Sequence, residues 1–468
     1  MKGTEIKSAF RLRCALAIYV ILALGSILTA SAQQFDVRTH QLTNGMKILL
    51  LEDHNIPNIA LYFVHRVGSR NERPGITGLS HFFEHMMFNG AKKYGPHMFD
   101  RVMEDNGGAN NAYTSEDLTV YQDWFPSPAL PLIFDLEADR TSALSFDPKM
   151  VESERGVVTN ERRLSVENNN ESILREQLLA AAFTAHPYQW PVVGWMVDIE
   201  NWKRQDLMDY FKIYYAPNNC VMVVVGDFQP DKMIALARKY LEPIPAQPAP
   251  LPVTTREPEQ PGERRILVHR LAQLPLLQVA YHSPAATDPD FIPLSVLEQI
   301  ILRGQSSRLY QRLVDKEQVA NSVSGGQSPH IDPFLFEIDI QPRDGVEVGK
   351  IEKLLYEQIE KVQTSLVEER ELQKAKNTAV ADFYRSMQTI DGKANQLGTY
   401  EVVFGDYRKL FQTPDLIGRV TLEQVREVAR KYLNPRNRTV AILVPEPDPA
   451  ARKPEPASTN QEGQPERP

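Results

Sequence analysis

His81, Glu84 and His85 are ionisable side chains set in an otherwise largely apolar run, Gly78-Leu79-Ser80-His81-Phe82-Phe83-Glu84-His85-Met86-Met87. The run reads as a helix, and at helical pitch the i, i+4 pair His81 and His85 falls on one face. Two imidazoles so placed can close on a single metal ion. Zinc takes neutral histidine nitrogens at about 2.0–2.1 Å and, where it does chemistry, needs a third protein ligand and an open position for water. Glu84 precedes the second histidine by one residue and projects near the same face, where it could take a proton from that water. A lone histidine on an apolar helix is usually a satisfied core residue. Two imidazoles and a carboxylate among Phe and Met need partners to be tolerated, and that need favours a metal.

A third ligand must come from another element. Asp147-Pro148 is a good helix start, an N-cap followed by proline at the first helical position, and the helix would run through Val151, Glu154, Val158 and Glu161 towards Val166. Glu154 and Glu161 are seven residues apart, hence on one face. A solvated charged face is the usual meaning of such a pattern, and position alone does not choose between the two carboxylates. Upstream, Gly107-Gly108-Ala109-Asn110-Asn111-Ala112-Tyr113-Thr114 reads as a glycine-bearing turn running into a strand, at its simplest a hairpin.

The chain has 468 residues with 42% hydrophobic and 24% charged side chains, an ordinary globular balance with ample length for two or more domains. A net charge of −8 argues against a nucleic-acid partner. At the front, Lys2, Lys7, Arg11 and Arg13 precede an apolar stretch from Cys14 to Leu28 and the small-residue site Ala30-Ser31-Ala32. That is the pattern of a secretory signal peptide over residues 1–32, too short in its apolar part for a membrane anchor. No second apolar stretch of spanning length follows, so the expectation is an exported protein of a bacterial envelope, in the periplasm. Cys14 leaves with the signal and Cys220 stands alone before Val221-Met222-Val223-Val224-Val225, a position for a buried, inert thiol.

The two halves of the chain echo one another. Tyr214-Tyr215-Ala216-Pro217-Asn218-Asn219 before a Val-rich strand is matched by Tyr432-Leu433-Asn434-Pro435-Arg436-Asn437 before Thr439-Val440-Ala441-Ile442-Leu443-Val444. More weakly, Leu79 to His85 is matched in pattern by Leu294-Ser295-Val296-Leu297-Glu298-Gln299-Ile300, at nearly the same offset. Two copies of one fold are implied, the second without the metal-binding residues. Strands mixed with amphipathic helices make each copy α+β, expected as a mostly antiparallel sheet with helices on one face. The expected boundaries are 33–244 for the first domain, 245–262 for a proline-rich semi-rigid linker, 263–444 for the second domain and 445–468 for a disordered polar tail.

His81-x-x-Glu84-His85, then Asn111-Ala112-Tyr113-Thr114-Ser115, then Glu154-Arg155-Gly156-Val157-Val158-Thr159-Asn160-Glu161, in this order and spacing, resemble the pitrilysin family of zinc metallopeptidases, which includes insulin-degrading enzyme and mitochondrial processing peptidase. The pentad is the zinc-peptidase H-E-x-x-H read in reverse. The resemblance spans nearly the whole mature chain and implies paired homologous α+β domains forming half of a clamshell. It implies one zinc ion per chain, held by His81, His85 and Glu161, with Glu84 as the catalytic base and Glu154 supporting the ligands from behind. It further implies that the strand bearing Asn111 and Ala112 is an edge that pairs with the backbone of a peptide or unfolded substrate.

Many relatives carry an Arg and, seven residues later, a Tyr in the second domain; here those positions hold Val314 and Asn321, beside Ser307-Arg308-Leu309, which does fit. The asymmetric loss suggests a zinc-bearing subunit of a heterodimer whose homologous partner supplies the missing pair. A homodimeric peptidase and a scaffold subunit of an envelope complex are the alternatives, and scaffold members of such families typically lose the catalytic set that is intact here.

Overall fold

The computed structural model describes residues 35–446. The expected signal peptide and the tail beyond Glu446 lie outside the described residues. Phe35–Val37 carry no helix or strand, and the fold begins at Arg38.

Among the described residues eleven strands form two sheets. The first contains β1 (Arg38–Gln41), β2 (Lys47–Glu52), β3 (Asn58–His65), β4 (Ala109–Thr114), β5 (Thr119–Pro126) and β6 (Cys220–Gly226), in the order β1-β2-β6-β3-β5-β4. The second contains β7 (Arg264–Leu271), β8 (Leu276–His282), β9 (Ala320–Gln327), β10 (Leu335–Pro342) and β11 (Arg438–Glu446), in the order β7-β11-β8-β10-β9. With the edge strand β1 set aside, replacing β2 through β6 by β7 through β11 converts the first order into the second. In each sheet the pair formed by the first and last of those strands is parallel, and the other pairings are antiparallel.

The echo before the last strand of each half has a structural meaning. Asn219 donates through its side-chain amide to Tyr214 O at 2.8 Å and Arg66 O at 3.3 Å. Asn437 makes the same two bonds, to Tyr432 O and His282 O, both at 2.8 Å. In each half the asparagine thus ties the end of a helix to the end of the strand neighbouring its own, satisfying carbonyls that would otherwise be left over.

Both faces of each sheet are covered. On one face the sheet packs on helices of its own half, with Phe63, Tyr121 and Met222 against Leu79, Phe82 and Ile133 in the first core. The opposite face receives a helix from the other half, a layer the one-faced expectation did not include. Helix Ile390–Val402 lies on β3 and β6, where a Cβ added at Gly398 would sit 2.7 Å from a Val64 methyl. Reciprocally, helix Asn170–Ala182 lays Leu174, Leu178, Leu179 and Ala182 on Ala280, Ala441 and Leu443 of the second sheet. Two-sided burial is why β6 is apolar and buried at every position instead of alternating. The buried free thiol of Cys220 begins that strand.

The proline-rich stretch 245–262 carries no helix or strand. It is pinned at Glu257, whose carboxylate accepts the backbone N–H groups of Thr184, Ala185 and His186 at 2.8 to 3.0 Å. One boundary moves. β11 continues through Pro445 and Glu446, paired in parallel with Arg270 and Leu271, so the second domain extends past 444. Proline there is tolerated at the end of a strand because only its missing N–H is lost to the ladder.

Because the two asparagines do the same work in the two halves, Asn219→Ala and Asn437→Ala should each cost about 1–3 kcal/mol in chemical unfolding, the range for orphaning buried carbonyls.

Candidate metal centre

The pentad forms helix Leu79–Met86. Leu79, Phe82, Phe83 and Met86 are buried, and the Phe83 ring lies among Phe146, Tyr210, Phe211 and Tyr215. Tyr121 donates its hydroxyl to Phe83 O at 3.0 Å. This packing turns the other face, with His81, Glu84 and His85, outward at partial exposure.

The helix begins on Gly78, in the left-handed region at φ 87°, where an added Cβ would meet Val193 O at 2.4 Å. Gly194 faces it with φ 82° and the same 2.4 Å limit against Thr77 O. The buried Glu72 carboxyl accepts Gly78 N–H and Ser80 N–H, both at 2.7 Å, which closes the helix N-terminus. Burial pushes that carboxyl up to about 8 against the pull of the two amides.

The helix of Glu154 and Glu161, Pro148–Arg162, starts as the sequence predicts, with the Asp147 side chain accepting Lys149 N–H and Met150 N–H. It packs beside the pentad helix and continues into a wider turn at Arg163–Glu167. Arg162 is buried and donates to Glu176 Oε2 at 2.9 Å and to Gly194 O at 2.7 Å. Neither Glu72, Arg162 nor Glu176 stands out in the sequence. A Glu/Arg-rich helix looks solvated until its neighbours are known.

Among the described residues, His81, His85 and Glu161 form the one group of three such side chains close enough to share a metal, their donor atoms all within 4.8 Å of one another. His81 Nε2 lies 3.5 Å from Glu161 Oε1, and His85 Nε2 lies 3.3 Å from Glu161 Oε2. Ligands about 2.0–2.1 Å from a tetrahedral zinc stand roughly 3.3–3.4 Å apart, so this donor set fits the ion. The Glu161 side chain is 40% exposed against 12% for His81, so one side of the group stays open to water. Glu154, which spacing could not separate from Glu161, lies on the far side of a ligand. Its Oε1 is 2.8 Å from His85 Nδ1, and its other oxygen accepts from Asn89. That bond turns His85 Nε2 towards Glu161 and fixes the tautomer a ligand needs. His81 Nδ1 is buried without a hydrogen-bond partner, so that ring is held by packing.

The electrostatics are those of a cation site. Burial favours the neutral His85 ring, yet the Glu154 and Glu161 carboxylates hold its acidity at about 10. Hydrogen bonds to His81 and His85 hold the Glu161 carboxyl well below the ordinary carboxylate range. Glu154 is also lowered, with burial opposing and His85 and Asn89 prevailing.

Glu84 sits beside these groups and accepts the Thr114 hydroxyl at 2.7 Å. Thr114 ends β4, which pairs with β5 on one side and forms the edge of the first sheet on the other. Asn111 is exposed on that edge and Ala112 half-buried. Both line an open depression with Glu84, His85, Phe88 and Asn89. The roles of Thr114 and Asn89 were not apparent from sequence, although Asn89 follows His85 at i+4. In the second half, the pattern match places buried Val296 and Ile300 where the imidazoles stand in the first. Val314 is buried, and Asn321, exposed on edge strand β9, donates to Pro342 O.

A duplicated α+β chain with an H-x-x-E-H helix and a distal glutamate in its first half is the architecture of a metallopeptidase family with one active and one inactive domain. The chain belongs to peptidase family M16: residues 47–194 match Insulinase (Peptidase family M16) and residues 201–379 match Peptidase M16 inactive domain. It is 28% identical to zinc protease PqqE of Helicobacter pylori over 437 residues, covering 92% of this chain and 98% of that one. It is 27% identical to the mitochondrial-processing peptidase subunit beta of Lentinula edodes, over 78% of this chain and 81% of that one. A crystal structure of a protease from Helicobacter pylori superposes with a TM-score of 0.85 at 27% identity, covering 88% of this chain and all of that one. A Pseudomonas fluorescens structure titled peptidase M16 inactive domain shares the fold, with a TM-score of 0.81 at 19% identity, over 88% and 98% of the two chains.

Two outcomes follow. Glu154→Gln should weaken zinc binding by about 10–100-fold, read by chelator competition. The metal-free His85 carries a proton below about 10, so zinc must displace it at neutral pH. Apparent zinc affinity should therefore rise from pH 6 to 8, with proton release seen by calorimetry in buffers of different ionisation enthalpy.

Proposed function

We propose that the chain is a zinc-dependent endopeptidase acting on peptides or unfolded segments in the periplasm, as the zinc-bearing subunit of a heterodimer. The observation that carries this reading is the convergence of His81, His85 and Glu161 beside Glu84 and the free edge of β4. His81, His85 and Glu161 would hold one zinc ion, with Glu154 orienting His85. When bound, zinc supplies Lewis acidity and a water whose pKa falls towards about 7.

The chain's own residues supply the rest. An extended substrate adds to β4 by main-chain hydrogen bonds, with Asn111 and Ala112 nearest the scissile bond, which favours unfolded segments over one exact sequence. Thr114 holds Glu84 Oε2 and leaves the other oxygen to take the proton of the attacking water. Glu84 then returns that proton to the departing amine, and the carboxylate is regenerated.

Val314 and Asn321 offer neither the cation nor the phenol that many relatives place at these positions. A homologous partner chain would bring an Arg/Tyr pair to grip the substrate, closing a clamshell of two such subunits. No helix of the described residues is long and apolar enough to cross a membrane.

Hydrolysis of an unfolded reporter peptide tests the reading. Glu84→Gln should lower kcat by about 10²–10⁴-fold at unchanged zinc content. Full activity of the purified chain by itself would remove the partner. Absence of cleavage by the zinc-loaded chain together with its co-purified partner would remove the peptidase and leave a scaffold role.

A further inference from the structure

Gln278, in the middle of β8, is 3% exposed, and its side-chain oxygen is buried with no hydrogen-bond donor. It lines a cavity of about 160 Å³ on the face of the second sheet, with Glu171, Ser322, Ser324, Asp339 and Gln341. The register accounts for the grouping. Ser324, Asp339 and Gln278 stand abreast on β9, β10 and β8. Helix Asn170–Ala182 lies on this sheet and brings Glu171 to the rim.

The lining is rich in acceptors and holds no lysine or arginine. The nearby cation Arg175 is engaged by Glu337 at 3.1 and 3.4 Å. Among the described residues neither Glu171 nor Asp339 is joined to a cation by a salt bridge. Burial, then the Glu337 and Glu171 charges, push the Asp339 carboxyl up to about 7, against Arg175 and a hydrogen bond from Gln278. The Gln278 oxygen is left without a donor within this lining, an arrangement that favours a ligand bringing N–H groups. One water needs about 10–15 Å³ of such space, so the cavity takes a larger group. Among the described residues the lining does not include a group of three metal-binding side chains close enough to share an ion; that group is His81, His85 and Glu161.

We propose that this cavity binds an organic cation, the guanidinium or ammonium head of a basic side chain or small amine, with Gln278 Oε1, Asp339 and Glu171 as its acceptors. A guanidinium brings five N–H donors in a plane and no acceptor, the complement of this lining. The site is independent of the zinc reading and stands or falls without it.

The test is calorimetric titration of the full mature chain with N-acetyl-arginine amide, agmatine and the neutral isostere N-acetyl-citrulline amide. Saturable binding of either cation, weakened roughly tenfold by Glu171→Gln at the exposed rim and by Asp339→Asn, and unchanged by His85→Ala, is expected. Tighter binding of the capped arginine would mark a peptide-borne group, and tighter binding of agmatine a free amine; both support the site. Equal binding of the citrulline compound, loss of binding in His85→Ala alone, or no saturation up to about 10 mM would overturn it, the last meaning a cavity of ordered water only.

Discussion

The close contact of Gly78 with Gly194 is the constraint on which the metal centre depends. Each glycine is left-handed, and each would drive a Cβ into the other segment's backbone. Gly78 starts the pentad helix, and the Gly194 carbonyl receives the buried guanidinium of Arg162, the residue next to Glu161. One backbone junction therefore sets the spacing of two helices that are far apart in sequence. Glu72 closes the junction on the pentad side and Glu176 neutralises Arg162 on the other. Buried charges are costly unless paired and hydrogen-bonded: the buried Arg162 charge meets Glu176, and the Glu72 carboxyl, raised by burial, accepts two backbone N–H groups. The imidazoles and the carboxylate then need little reorganisation to meet one ion.

Duplication explains how an open site rests on a rigid base. Each half lends a helix to the far face of the other's sheet, so neither sheet face is left bare. Glu176, which pairs with Arg162 beside Glu161, lies on the helix that packs on the second sheet. The second half thus supports the half that carries the candidate metal centre.

The elements of the site were legible from sequence where local rules decide. The His81/His85 face, the Asp147-Pro148 helix start and the glycine turn before Ala109 follow from periodicity, capping and turn chemistry. The duplication was legible because the tyrosine-to-asparagine echo precedes an apolar strand in both halves, and the asparagines prove to do identical work. The choice between Glu154 and Glu161 was not legible from spacing, since both share one helix face. It depends on which nitrogen of His85 each carboxylate meets, and family resemblance had to stand in for that. The helix exchange was equally hidden. Asn170–Ala182 buries Leu174, Leu178, Leu179 and Ala182, but nothing in its local sequence says whose sheet they cover. Glu72 and Arg162 do not stand out in the sequence because their burial is created by residues more than a hundred positions away or on the other side of a loop. The end of the second domain was set two residues short because the stretch from Pro445 has the composition of the polar tail, whereas β11 runs on through Pro445 and Glu446.

The central claim is that these two helices present one preformed zinc site per chain. X-ray absorption at the zinc edge on the protein as purified, compared with a Glu161→Gln chain, tests it most directly. One zinc per chain with two imidazole nitrogens and oxygen ligands near about 2.0–2.1 Å, lost or altered in the variant, is the predicted result. Absence of zinc, or a zinc shell with sulfur or without imidazole, would contradict it.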